Sequence, residues 1–394
     1  MKTKYVFACC GYFFAMGLFG QSPGLQEVLR SIEQNNTGLQ ALASQMEGES
    51  LALKSENNLP DPEITGYYLP WGNHSTGNYS EVELSQSMDF PTVYGKRGQW
   101  IEQQKNLLGL HYALERQNIL LKAQKTYIEL SILDRKIGHE SERYKQAKTV
   151  YEQLSKSFEA GEAGILDFNK AKLVWMGKRF VLDQLEQQRQ SQLAKLQWLN
   201  GDLPLKLEAV SMPPMAALPQ FETLWVNKLQ NDPELLIPQG KEDLAQRSIA
   251  LAKAKSLPKL SLGYNYQGVQ GENHSGLLGG LSIPLWNSKN KVKSEKMKWE
   301  SQKVTTQHNE SNLKLTAQTA YDRYMVLYTK WEAYTESLLS LNSEALLLKA
   351  YALGELSYLQ YHQEIQFYQQ AQEKQLQMEK ELHLTRAQLL KHQL

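Results

Sequence analysis

The residues best suited to chemistry are two histidines, His74 and His274, each set in an Asn-His-Ser run in the expected loop between two paired strands. Imidazoles are common metal ligands, but a zinc site takes three or four ligands. No acid or thiol stands at ligand spacing from either histidine, so the pair specifies no metal site. The two thiols, Cys9 and Cys10, both lie in an apolar N-terminal run. Carboxylates are plentiful, 42 Asp and Glu in 394 residues. They can pair almost anywhere and so mark no acid–base site. There is no His-Glu-x-x-His, no P-loop and no dinucleotide fingerprint. Nothing in the pattern requires a catalytic residue or a cofactor.

Composition narrows the class further. The net charge of +1 asks for no polyanionic partner, which excludes a nucleic-acid binder. A mean hydropathy of −0.51 argues against a polytopic helical membrane protein, whose spans each need about 20 apolar residues. The N-terminus reads as an export signal over residues 1–20. Lys2 and Lys4 are followed by the apolar run Tyr5 to Phe19, with a cut expected before Gln21. The stretch before Cys9 is too short for a lipoprotein leader. The mature chain would then be free of thiols, as suits an exported protein.

The elements that must position any site are duplicated. Residues 59–91 and 257–284 both open with Leu-Pro, carry early tyrosines and an Asn-His-Ser, and close on an apolar residue and a proline. Each is followed by a long helical stretch and a glycine turn, "FEAGEAGILDFNKA" (158–171) and "YALGELSYLQYHQE" (351–364). Pro91 stands 70 positions before Gly161, and Pro284 stands 70 before Gly354. This spacing implies a first repeat over 21–200, a proline-rich linker over 201–221 and a second repeat over 222–394.

Within each repeat a helical stretch comes first, Leu25 to Asn57 and Phe221 to Lys255, split at Asn35-Asn36-Thr37 and Asn231-Asp232-Pro233. A hairpin of strands follows, over 62–90 and 258–285. Val82, Leu84, Met88 and Phe90 alternate with Glu81, Glu83, Ser85, Ser87 and Asp89, and residues 259–266 and 277–285 alternate likewise. Such strands fit a membrane barrel with one face on lipid, and equally a soluble hairpin with one face on a core. Four strands cannot close a barrel. If they span, several chains must share it, and three chains give about twelve strands.

Helical hairpins over 92–200 and 286–394 complete the repeats, with turns at 158–165 and 351–357. Proline is absent from Lys96 to Ser157 and from Trp286 to Ala352. At about 1.5 Å per residue each arm would be roughly 90–100 Å long. Tyr144, Ala147, Tyr151, Leu154 and Phe158 repeat at 3-4-3-4 spacing, as do Leu338, Leu341, Ala345, Leu348 and Ala352. Tyr358, Tyr361, Ile365 and Tyr368 continue it on the return arm. An antiparallel coiled coil and a helical tube wet on both sides both fit this narrow stripe.

Helix, strand hairpin and long helical hairpin, twice over after a leader, resemble the TolC-like outer-membrane efflux family across the mature chain. The "PEITGYY", "SQSMDFP" and "LSIPLW" segments resemble its CusC/CzcC-like heavy-metal branch. The resemblance implies a mainly α fold with a β membrane part. Three chains would form a twelve-stranded β-barrel on a tunnel of long antiparallel α-helical hairpins. It further implies an outer-membrane location with a periplasmic extension. The implied partners are a periplasmic adaptor protein, an inner-membrane RND-type transporter and outer-membrane lipid. The implied function is passive export, with heavy-metal cations as a possible cargo. The family's turn motif maps onto Gly161, Gly164 and Asp167 and onto Gly354, Ser357 and Gln360. Gly161, Gly164, Gly354 and Ser357 are the expected adaptor contacts, and Glu162, Asp167, Glu355 and Glu364 the expected gate acids. The basic run 289–303 would lie where a barrel meets the periplasm, within reach of lipid phosphates. A soluble periplasmic coiled-coil scaffold or adaptor is the competing reading. It accounts for the helices and the leader but not for two similar strand hairpins.

Overall fold

The computed structural model describes residues 23–71, 78–205, 207, 210, 212, 214–269, 271–286, 288–341 and 343–394. The expected leader and His74 lie outside the described residues. In chain order the elements begin with helices α1 (Pro23–Asn35) and α2 (Thr37–Ser55), then strands β1 (Glu63–Leu69) and β2 (Tyr79–Met88). Helices α3 (Pro91–Glu159), α4 (Ile165–Leu199), α5 (Phe221–Asn231) and α6 (Pro233–Ala254) follow. Strands β3 (Lys259–Val269) and β4 (Glu272–Ser282) precede α7 (Lys291–Ser340), α8 (Ser343–Ala352) and α9 (Tyr358–Leu389). A 3₁₀ turn, Lys391–Gln393, follows α9. No described helix is long and apolar enough to cross a membrane.

Short polar residues set the helix starts. The Asn36 side chain accepts from the Leu39 N–H at 2.9 Å and caps α2. Asp232 accepts from the Glu234 N–H at 3.1 Å, Pro233 occupies the first helical position, and Lys228 pairs with Asp232 at 2.6 Å. The two cap side chains each satisfy an amide that the first helical turn leaves without a partner, and Pro233 removes one such amide.

The chain divides into two compact units. The first comprises Met1–Gln34, Ala123–Ala217 and Asn342–His383. Its buried side chains include Leu25 and Ile32 on α1, Tyr127 and Leu130 on α3, Leu196 on α4 and Leu376 on α9. The second comprises Asn35–Lys122, Leu218–Leu341 and Leu384–Leu394. There Phe221, Trp225, Leu235 and Ala317 form one core cluster, and Val93, Leu251 and Ala254 another. Lys391 bonds Glu234 at 2.6 Å. Burial, then Lys228, pulls the His392 imidazole down to about 4.

The sheet of the second unit is antiparallel with order β1-β2-β3-β4. Its register aligns Ile64, Leu84, Tyr264 and Leu277 in one row across all four strands. These four side chains are 74%, 46%, 46% and 92% exposed. Among the described residues nothing covers this apolar face. The opposite face carries Glu81, Glu83, Asn265 and Gln267. Glu81 accepts from Asn265 at 2.6 Å and from the Tyr79 hydroxyl at 2.6 Å. Among the described residues, strands β1 and β4 are each paired on one side only.

Three expectations need correction. His274 is not in a loop. It lies in β4 opposite Gln267, because Gly271 takes φ +85° and turns the chain tightly from β3 into β4. Strand β4 thus starts at Glu272, ahead of the alternation at 277, and ends at Ser282. Glycines 276, 279 and 280 leave no side chain to reveal the period. The second long arm is not continuous from Trp286 to Ala352. It begins at Lys291 after Asn290 in the left-handed region, φ 64°. It breaks at Leu341, whose backbone is extended, so the stripe from Leu338 to Ala352 does not run along one helix. The Ser340-Leu341-Asn342-Ser343-Glu344 sequence is rich in residues that favour helix starts over helix interiors. In the first half α3 starts at Pro91 and runs 69 residues unbroken.

Candidate functional site

Two helix turns of the first unit share one backbone device. At the end of α3 the Gly161 N–H donates to Phe158 O at 3.0 Å and the Glu162 N–H to Ser157 O at 2.8 Å. At the end of α8 the Gly354 N–H donates to Tyr351 O at 3.0 Å and the Glu355 N–H to Ala350 O at 3.0 Å. This is the Schellman arrangement, which needs a left-handed residue just past the helix. Gly161 and Gly354 supply it, with φ of +77° and +75°.

The next helices start differently. Ser357 and Gln360 form a complete capping box: Gln360 N–H donates to Ser357 Oγ at 3.3 Å, and Ser357 N–H donates to Gln360 Oε1 at 2.9 Å. Gln360 at the place expected for an acid keeps this reciprocity. Gly164 caps α4 with extended backbone and no side-chain bond. Asp167, in the first turn of α4, adds only its charge at the positive helix end.

Beneath the turns the two hairpins share one apolar cluster. Val150, Leu154 and Ala171 of the first pack with Tyr358, Tyr361 and Ile365 of the second. Tyr351 stacks on Tyr361 at 5.0 Å, and Tyr151 on Trp175 at 4.9 Å. Burial pushes the Tyr358 and Tyr361 hydroxyls up to about 12, so both remain protonated donors at any ordinary pH. Burial first, then the Asp167 carboxylate, raises Tyr351. The buried Tyr358 hydroxyl has no hydrogen-bond partner among the described residues.

A charged seam continues the contact along the same helices. Arg143 of α3 pairs with Glu140 and, at 3.1 Å, with Glu373 of α9. It also donates to Gln369 O at 3.2 Å and to Gln372 Oε1 at 2.9 Å. Lys178 of α4 reaches Glu140 at 3.3 Å and Gln369 Oε1 at 3.0 Å. Arg143 and Glu140 side chains are 5% and 6% exposed, so losing either partner strands a buried charge.

Of the acids singled out in the sequence, Asp167 lies by the tyrosine cluster of the second hairpin. Glu162 and Glu355 are exposed at the turns, and Glu364 is exposed on α9. The tyrosine cluster and the Arg143 seam were missed as site features. Their signal was present, since Glu140, Arg143, Ala147, Val150 and Leu154 also repeat at 3-4-3-4 spacing. Charged residues in that stripe hid it from a search for apolar seams.

No family model matches the chain. Over 292 residues it is 24% identical to the outer membrane protein TolC of Vibrio cholerae, a match covering 68% of this chain and 66% of that protein. The match thus spans just under two thirds of the relative. Among solved structures it superposes on the outer-membrane channel OprN with a TM-score of 0.78 at 13% identity, covering 94% of this chain and 90% of that one. On CusC the TM-score is 0.76 at 14% identity, covering 95% and 92%. The chain is TolC-like in fold. The duplicated helical hairpins and the four-stranded sheet are the TolC-like architecture.

Gly161→Ala and Gly354→Ala should each destabilise a turn by about 1–2 kcal/mol, the cost of a left-handed non-glycine residue. Ser357→Ala should cost about 1 kcal/mol through its cap. Gly164→Ser should stabilise α4 by only a few tenths of a kcal/mol. Amide hydrogen exchange at 157–168 and 350–361 checks this. Unchanged protection in both glycine variants would contradict the turn analysis.

Proposed function

We propose that this chain is the outer-membrane channel subunit of a tripartite efflux system, a passive conduit that catalyses nothing. The observation that carries the reading is the sheet, with its uncovered apolar face and two open edges. In lipid an apolar face is at home, but an unpaired strand edge is not. Copies of the chain therefore pair β4 of one with β1 of the next. Three copies close a barrel of about twelve strands, within the range of such barrels. The polar face, with Glu81 and Glu83, then lines the lumen. A soluble scaffold has no use for such an apolar face.

In this reading the helix turns point toward the periplasmic partners. Gly161, Gly164, Gly354 and Ser357 meet the adaptor protein, which joins the duct to an RND-type transporter that supplies the energy. Asp167 is the first choice among the gate acids, because its charge is felt at Tyr351 and Tyr358 of the other hairpin. Glu162, Glu355 and Glu364, all exposed, would add carboxylates around the same aperture. Rings of acids repel one another when closed and favour cations. Heavy-metal cations are the proposed cargo.

Leu277→Lys tests the membrane reading, because a lysine at mid-bilayer on the lipid face costs about 2–4 kcal/mol. It should deplete the protein from the outer-membrane fraction, whereas Asn265→Lys on the lumen face should not. Equal insertion of the two variants would sink the assignment of faces. For the gate, Asp167→Asn should lower single-channel cation conductance at low salt, where the acid ring is least screened. Unchanged conductance removes Asp167 from that role.

A further inference from the structure

A cavity of about 580 Å³ opens in the second unit at the end of the sheet. Trp100 of α3, Leu251 near the end of α6 and Pro284 after β4 give it apolar walls. Lys255 and Lys291 bring two ammonium groups, and Glu295 on α7 brings a carboxylate. Ser256 and Ser288 also line it. Their hydroxyls donate to Ala252 O at 2.9 Å and Pro284 O at 3.5 Å, so each keeps acceptor capacity. Cations and acceptors in one pocket suit a ligand that carries both charges.

Its surroundings say what the rest of the ligand must be. Pro284 lies within the run Ile283-Pro284-Leu285-Trp286, and Ile283, Leu285 and Trp286 are 64%, 67% and 82% exposed. This strip continues the apolar face of β4, where Leu281 is 59% exposed. A polar, two-signed pocket therefore adjoins an uncovered apolar strip that ends in a tryptophan. Tryptophan is characteristic of the level where lipid headgroups begin. A molecule that satisfies both parts has a zwitterionic head and apolar tails.

We propose that this cavity binds the headgroup of an aminophospholipid, with the phosphate on Lys255 and Lys291 and the ammonium on Glu295. The lipid tails lie along Ile283, Leu285 and Trp286. Glu295 already holds Lys298 at 2.7 Å, a pair whose lysine is 65% exposed and thus weakly competing. Pockets of this volume are in the usual range for small-molecule sites. The inference rests on the membrane reading above and adds a fixed lipid to it. It also gives part of the basic run 289–303 a defined ligand, in place of general attraction to a charged surface.

The test is native mass spectrometry of the delipidated, detergent-extracted oligomer. Dioleoyl-phosphatidylethanolamine, dioleoyl-phosphatidylglycerol, glycerophosphoethanolamine and inorganic phosphate are titrated separately. Lys255→Gln/Lys291→Gln should weaken phosphatidylethanolamine roughly tenfold or more, the scale of losing charge-assisted bonds to a phosphate. Glu295→Gln should weaken phosphatidylethanolamine and leave phosphatidylglycerol unchanged. Inorganic phosphate and the soluble headgroup should bind far more weakly than the lipid. Variants that bind phosphatidylethanolamine as the parent does would overturn the site. Equal binding of inorganic phosphate would overturn its lipid character, and no effect of Glu295→Gln would overturn the choice of zwitterion. A normal oligomer in the outer membrane without a variant-sensitive lipid refutes this site alone. A chain that never reaches the membrane refutes the channel reading beneath it.

Discussion

A four-stranded antiparallel sheet of order β1-β2-β3-β4 leaves two rows of backbone donors and acceptors, one on β1 and one on β4, that pair with no other strand among the described residues. In water such edges are solvated. In hydrocarbon each unmade bond costs several kcal/mol, so a sheet with a lipid-facing side must close. The register separates the two sides: the row Ile64, Leu84, Tyr264 and Leu277, the lipid side under the channel reading, lies on one face and the Glu81 network on the other. A one-residue slip would invert both faces, so register and environment are specified together. Under the channel reading, edge satisfaction makes the copy number part of the fold.

The same economy governs the helical hairpins. Helix α3 runs 69 residues and carries two seams. Tyr151 on one seam meets Phe168 and Trp175 of its own return arm. Arg143 on the other meets Gln369, Gln372 and Glu373 of α9. The first seam is aromatic and closes the hairpin. The second is ionic and joins one hairpin to the other.

The fold class was legible in the sequence because its signals are periodic. Alternation announced β2 and β3, and the lack of proline announced the long helices. The start of β4 was hidden because glycines interrupt its alternation, and this placed His274 in a loop rather than in the ladder. The break at Leu341 was hidden because proline and glycine, the usual breakers, are absent there, and Ser-x-Asn-Ser breaks a helix more quietly. At the turns, glycine is visible because a left-handed backbone favours it. The tyrosine cluster was visible only as a stripe. Its burial, and the unpartnered Tyr358 hydroxyl, depend on a second hairpin distant in sequence.

Closure by neighbouring copies is the central claim, and the native mass of the detergent-extracted protein tests it most directly. The account predicts a particle of about three chains, the number that brings four strands each into the range of small closed barrels. A monomeric particle extracted from the outer membrane would contradict it, because β1 and β4 would then face lipid with their backbone bonds unmade.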